Sequence, residues 1–352
     1  MPHRTDIPLF VPGRLCLFGE HSDWAAEFGL HRGYCLVVGT DQGLRAQARA
    51  CEDFAIETAL RSQAGQPAPI RRVRLPWQEK ALLEAAGDQD EFFRYAAGVA
   101  YQLLTRRPVK GGIDLRIGSM DLPLRKGVAS SAAICILVAK AFDAVYQLNL
   151  LPQEIMDLAY MGEKLTGSKC GRMDQACIFG RTPVLLTFSR DSRVDIQPVY
   201  PPGEIPLFFV DLAGQKDTVR ILADLGQAYP QSRRLQRALG PLNQQVVREA
   251  YHMLEDGDAV ALGTLMTKAQ RAFDRLISPH STQLASPVLH ELLAWGPLQE
   301  HVWGGKGVGS QGDGTAQFVA RSPAARDAAM GMIHQHFPGM QCFPLTILPQ
   351  SG

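Results

Sequence analysis

Three separated glycine-bearing segments constrain this chain more than any other feature. They are Val11-Pro12-Gly13-Arg14 with Gly19-Glu20-His21-Ser22-Asp23 near the start, Pro123-Leu124-Arg125-Lys126-Gly127-Val128-Ala129-Ser130-Ser131-Ala132-Ala133 in the middle, and Gly304-Gly305-Lys306-Gly307-Val308-Gly309-Ser310-Gln311-Gly312-Asp313-Gly314 near the end. The middle segment is the most legible. A small, polar loop from Gly127 to Ser131 runs straight into an apolar helix. Unpaired backbone N–H groups and the positive end of the helix dipole therefore meet at one point, which is an anion site. An ordinary Ser-capped buried helix has the same letters, so this segment alone leaves both readings open. It lacks GxxxxGK[ST], which disfavours a P-loop nucleotide site.

The bulk numbers bound the rest. A chain of 352 residues with 46% hydrophobic content can bury a large core, as two domains or one large one. Its 36 basic and 35 acidic residues leave a net charge of +1, which gives no electrostatic case for nucleic acid or an anionic membrane. The short clusters Arg71-Arg72-Val73-Arg74 and Arg106-Arg107 read as solvated faces. Seven cysteines without CxxC pairs, several inside apolar runs, read as reduced small hydrophobes and not as a disulfide framework or a zinc site. No signal peptide is visible, and the longest near-apolar run, 129–145, carries Ser130, Ser131, Lys140 and Asp143. These features predict a soluble, cytoplasmic protein.

Alternating apolar and β-branched residues predict short strands at 14–18, 34–40, 44–49, 54–58 and 111–117, then at 184–188 and 207–212. Helical spacing predicts helices over 88–104, 129–145 and from Pro152 to Gly167. After Thr218 the segments 219–229, 232–254, 258–277 and 286–294 read as mostly helical. The class is α+β, with a mixed N-terminal half, a helix-rich C-terminal half and a border at Tyr200-Pro201-Pro202-Gly203.

Several residues carry chemistry. Glu163 lies four residues after Ala159 and seven after Met156, so it flanks the buried stripe of its helix. A carboxylate there needs a metal or a partner such as Lys164 or Lys169. Asp174, in Cys170-Gly171-Arg172-Met173-Asp174-Gln175, reads on its letters alone as a helix-capping carboxylate. Two carboxylates and one imidazole in Glu20-His21-Ser22-Asp23 make a poor zinc site, but paired acceptors suit a polyol. Trp24 suits either a sugar face or the core. The third segment is too glycine-dense for helix or strand, and reads as a loop around phosphates or a tight connection.

In this order and spacing the segments resemble the GHMP kinases, and within them the galactokinase-like sugar kinases, from Pro12 to about Phe318. The resemblance implies a two-domain α+β fold. A ribosomal-protein-S5-like N-terminal domain would span 1–200 and a helix-rich, ferredoxin-like C-terminal domain 201–352, with the active site between them. It implies ATP and Mg²⁺ as cofactors and phosphorylation of a small-molecule sugar, by analogy at its C1 hydroxyl. Asp174 would orient or deprotonate the acceptor, with Arg14 balancing charge. Lys126, Gly127, Val128, Ala129, Ser130, Ser131 and Ala132 would cradle the phosphates, and Ser131 and Glu163 would hold the metal. Glu20, His21, Asp23, Asp174 and Gly309 would contact the acceptor, and Gln215-Lys216-Asp217-Thr218 would close over it. The chain departs from the family's Pro-x-Gly-x-Gly-Leu-x-Ser-Ser pattern at Arg125, where a glycine is expected, and has Lys126 beside it. It also departs at Trp24-Ala25-Ala26-Glu27-Phe28 and, in the third segment, at Lys306 and Asp313. Arg125 and Lys126 raise the question of an acidic sugar. Trp77 is the candidate for an adenine contact. A mevalonate-type small-alcohol kinase and a non-catalytic ATP- and sugar-binding sensor are the two alternatives.

Overall fold

The computed structural model describes residues 6–59, 70–121, 130–168, 170–189 and 194–349. Its first sheet is built from β1 (Ile7–Phe18), β2 (Gly33–Cys51), β3 (Phe54–Ala59), β4 (Ile70–Leu75), β5 (Gly112–Met120), β6 (Val184–Phe188) and β7 (Val194–Pro198). The strand order is β4-β3-β5-β2-β6-β7, with β1 also paired to β2. Only the β3–β5 pairing is parallel. The segments 34–40 and 44–49, read from sequence as two strands, are one strand, β2. The intervening Asp41-Gln42-Gly43 is not a turn: Pro12 faces Gly43 and Arg14 faces Gly39, so β2 bulges there, with three residues opposite the single Gly13 of β1.

The helices Glu79–Gly87, Arg94–Arg106, Ser130–Tyr146 and Pro152–Leu165 pack beside this sheet. Two of them approach through glycines: a Cβ on Gly98 would lie 2.2 Å from the Gly162 carbonyl, and one on Gly162 2.6 Å from the Val99 backbone. The helix expected from residue 88 begins at Arg94. Asp88 instead accepts the Asp90 N–H at 2.9 Å, closing a local turn that competes with the helix. The Arg71–Arg74 cluster lies on β4, an edge strand that sequence reading missed. Its arginines face solvent, with Arg72 paired to Glu57 and Arg74 to Asp53, both at 3.7 Å.

The second sheet comprises β8 (Ile205–Asp211), β9 (Val302–Gly307), β10 (Thr315–Ala320) and β11 (Gln341–Ile347), ordered β11-β8-β10-β9 and antiparallel throughout. Its period of two sends side chains to two cores. Phe208 and Val210 pack with Phe318, Leu292 and Ile333. Leu207 and Phe209 join Leu262, Met266 and Val247, in one continuous core with Val11, Leu15 and Leu36 of the first sheet. The predicted 232–254 helix is broken: Pro241 sits in a π-helical turn, Ala238–Leu242, between Arg233–Arg237 and Asn243–Asp256.

The third segment corrects its expectation, since Gly304 to Gly307 form the end of β9. The glycines serve close packing there. A Cβ on Gly304 would strike the Gly263 carbonyl at 2.0 Å, and one on Gly305 the Phe318 ring at 2.3 Å. Helix Pro323–His336 and strand β11 were also unread in the sequence.

Candidate active site

Arg14 points inward from β1, 2% exposed, and donates to Asp174, the first residue of a short 3₁₀ helix, Asp174–Phe179. Met173 occupies the cap position and the Asp174 carboxylate caps nothing, so the bland alternative for this residue is removed. Hydrogen bonding of Gly39 N–H to the Gly180 carbonyl at 2.7 Å ties the end of the 3₁₀ helix to β2. Burial opposes the charge on Arg14, but the neighbouring carboxylates outweigh it, Asp174 foremost, and the guanidinium pKa is raised. Two guanidinium nitrogens, Nε and Nη1, are buried without a partner among the described residues. Asp174 keeps 29% of its side chain exposed, so one end of this ion pair opens outward.

Glu163 is 2% exposed on the inner face of helix Pro152–Leu165. Ser131 Oγ donates to Oε1 at 2.9 Å and Gln175 Nε2 to Oε2 at 3.0 Å. Its partners are a hydroxyl, an amide and the Cys170 thiol, and no lysine among the described residues pairs with it. Burial and then the nearby Asp174 push its carboxyl up to about 7, tempered by these hydrogen bonds. Ser131 and Glu163 therefore lie together at the start of helix Ser130–Tyr146. Ala132 is fully buried in the same turn. Arg125, Lys126, Gly127, Val128 and Ala129 lie outside the described residues, as does the Ser130 side chain.

The first segment is folded tightly. Gly19 has φ +102° and a Cβ there would meet the Tyr34 carbonyl at 2.1 Å, so only glycine fits. Ser22 Oγ accepts the Tyr34 N–H at 3.0 Å and fixes the loop against β2. Three polar side chains of this loop are each engaged. Glu20, 7% exposed, pairs with Lys306 of β9, whose Nζ also donates to the Gly307 carbonyl at 2.8 Å. Asp23 accepts the Met173 N–H at 3.3 Å, and a Cβ on Gly171 would collide with its Oδ2 at 1.8 Å. Burial, then Asp174, raises its carboxyl to about 6. His21 has φ 68°. Its Nδ1 faces the Trp24 indole N–H at 3.1 Å and its Nε2 the Ser310 carbonyl at 3.3 Å. Burial first, then Lys216 and Lys306, lower its pKa to about 4, so the imidazole is neutral.

The third segment meets this loop from the other sheet. Gly309 has φ +65°, Gln311 64° and Gly312 +74°, a left-handed run that reverses the chain between β9 and β10. Ser310 Oγ lies 3.1 Å from Thr218 Oγ1, and Lys216 Nζ donates to the Gln311 carbonyl at 3.2 Å. The Gln215–Thr218 segment thus sits against the loop, as its position in sequence suggested. Trp77 stacks on Phe142 at 5.1 Å and 25°, about three turns along helix Ser130–Tyr146 from Ser131. Sequence reading missed Lys306 as the partner of Glu20. It also missed two glutamines: Gln270 accepts the Gly307 N–H at 2.8 Å, and Gln317 donates to the Cys16 carbonyl at 2.7 Å. A buried amide among apolar residues was the available signal. Among the described residues no three His, Cys, Asp or Glu side chains gather as a metal cage.

A model of the GHMP kinases N terminal domain matches residues 94–181, the span that carries Ser131, Glu163 and Asp174. Galactokinase from Chloroflexus aggregans is 29% identical over 298 residues, 74% of this chain and 70% of its own. The chain is thus similar to the GHMP kinases and, within them, to galactokinases. GHMP kinase structures superpose on it along nearly the full length. Lactococcus lactis galactokinase complexed with galactose does so with a TM-score of 0.71 at 18% identity, over 99% of this chain and 95% of that one. Methanococcus jannaschii mevalonate kinase gives 0.73 at 16%, over 99% and 100%. The GHMP architecture therefore accounts for both sheets and for the convergence of all three segments.

Proposed function

We propose that this GHMP kinase transfers the terminal phosphoryl group of ATP to a monosaccharide, at the C1 hydroxyl. The observation that carries the reading is the Arg14–Asp174 pair, buried at the cation and open at the carboxylate. Asp174 takes the proton of the acceptor hydroxyl while its oxygen bonds to the γ-phosphorus. The bond from that phosphorus to the β–γ bridging oxygen breaks, and the electron pair leaves with ADP. Arg14 holds the Asp174 carboxylate in place, and its Nε and Nη1, without a partner among the described residues, are available to phosphoryl oxygens.

The hard-oxygen pair Glu163 and Ser131, already at 2.9 Å, fits Mg²⁺. Bound there, Mg²⁺ supplies positive charge to the phosphoryl oxygens. The loop 123–131 is assigned to the phosphates by its sequence alone. Glu20, Asp23 and Gly309 line the acceptor side, where hydroxyl donors of a sugar match carboxylate acceptors. The galactokinase relatives support a sugar over another alcohol.

The test is ADP release from Mg·ATP over neutral and acidic monosaccharides and mevalonate, with Asp174→Asn alongside. Turnover of one sugar, reduced by at least about 10²-fold in the variant, is expected. Turnover of mevalonate alone would replace the sugar assignment, and unchanged activity in Asp174→Asn would remove Asp174 from its role. Sugar and ATP binding without turnover would make the chain a sensor.

A further inference from the structure

At one point, Ser310, three separate parts of the chain meet. The first segment reaches it through His21 Nε2 at 3.3 Å to its carbonyl, and the Gln215–Thr218 segment through Thr218 Oγ1 at 3.1 Å to its hydroxyl. Lys216 holds the next carbonyl, Gln311, at 3.2 Å. The first link works in only one tautomer of His21. A carbonyl oxygen accepts only, so Nε2 must carry the hydrogen. An indole nitrogen donates only, so Nδ1 must be bare to receive Trp24 Nε1 at 3.1 Å. Two independent partners thus demand the same tautomer, and both ring nitrogens are spent.

We infer that Trp24 is a positioning residue for the acceptor site: its indole N–H fixes the His21 tautomer that holds Ser310, and so pins the third-segment loop against the first. This rests on the sugar-kinase reading for its kinetic consequence and on the fold alone for its structural one. Trp24 touches neither substrate in this account. Its ring is held edge-on by Tyr229 at 5.7 Å and Phe28 at 6.3 Å, and the His21 ring lies on Phe273 at 6.0 Å and 29°. The aromatic cage orients the indole N–H, and the N–H selects the imidazole that reaches Ser310. It also explains why His21 tolerates its left-handed backbone: that conformation turns the ring between two partners 289 residues apart in sequence on one side and three on the other.

The experiment uses the full chain, with and without Mg·ATP. Long-range ¹⁵N–¹H spectra of the wild-type protein at pH 7 are expected to show His21 protonated at Nε2 and bare at Nδ1. The opposite tautomer, or an imidazolium, would overturn the inference without any variant. Trp24→Phe keeps an aromatic ring and loses the donor. Its 305–315 peptide is expected to exchange amide hydrogen about tenfold faster, with the rest of the chain unchanged. Phe28→Ala, which loosens packing on Trp24 but spares the N–H, is expected to leave that peptide within about twofold of wild type. Unchanged exchange in Trp24→Phe, or equal acceleration in Phe28→Ala, would reduce Trp24 to a packing residue. For the sugar found to turn over, Trp24→Phe is expected to raise KM about tenfold and move kcat by less than about twofold. A loss in kcat alone would place Trp24 in the chemical step instead. If no sugar is turned over, the function reading fails while the exchange and tautomer results still decide the pinning.

Discussion

Asp23 illustrates how a single buried carboxyl writes itself into stability. Its folded pKa of about 6 stands above its ordinary 3.8, raised by burial and then by Asp174. Between those values the native protein holds a proton that the unfolded chain has released, so Asp23 weakens the fold as pH rises from 4 to 6. His21 acts in the opposite sense: held down to about 4, it costs stability as pH falls below 6.5. Asp23→Asn removes the first contribution and leaves the second. The variant is expected to match wild type near pH 4 and to exceed it by up to about 3 kcal/mol at pH 7, read from urea unfolding across the range. A pH-independent difference would mean that Asp23 is ionised throughout. At this scale Arg14, Glu163 and Asp174 were singled out in the sequence by the resemblance of their motifs to those of the GHMP kinases. The pairs Glu20–Lys306 and His21–Trp24 were not. The first spans 286 residues and exists only once two sheets have met, and the second depends on a ring orientation that no spacing encodes.

Among the elements, the helices Arg94–Arg106 and Pro152–Leu165 are seated by a glycine pair, and Glu163 follows one of those glycines directly. The contact helps set how far the Glu163 carboxylate stands from Ser131. In Gly162→Ala, the gain in helix propensity is outweighed by a Cβ placed 2.6 Å from the Val99 backbone. The variant is expected to lose about 1–3 kcal/mol and to need more Mg²⁺ for half-maximal rate, measured by thermal melting and metal titration. A higher melting temperature would show that the helices have room to spare. Long apolar elements such as Ser130–Tyr146 and β6 were readable from period and length. Elements whose letters answer to a neighbour were not. The glycines of β9 look like a loop until helix Ala259–Leu276 lies against them, and the arginines of β4 look like solvated coil until β3 supplies the edge they occupy.

For the whole molecule, the two sheets share one core, which runs from Val11 and Leu36 through Val247 and Leu262 to Leu345. Such a core predicts one cooperative transition despite the change of composition near residue 200. Far-UV dichroism and tryptophan fluorescence should melt together, with a calorimetric to van't Hoff enthalpy ratio near 1. Trp77 reports on the first half and Trp295 and Trp303 on the second, while Trp24 packs on Tyr229 across the border. Two separable transitions would assign each sheet its own folding unit. The Glu20–Lys306 pair crosses the same boundary and is nearly closed to water, at 6% and 3% side-chain exposure. Removing either partner alone leaves an uncompensated buried charge, which costs on the order of 3–5 kcal/mol. A lineage therefore cannot pass through either substitution singly without losing much of its stability. The two positions, one in each half of the chain, are bound to mutate as a couple, and the history of this pocket is written in pairs.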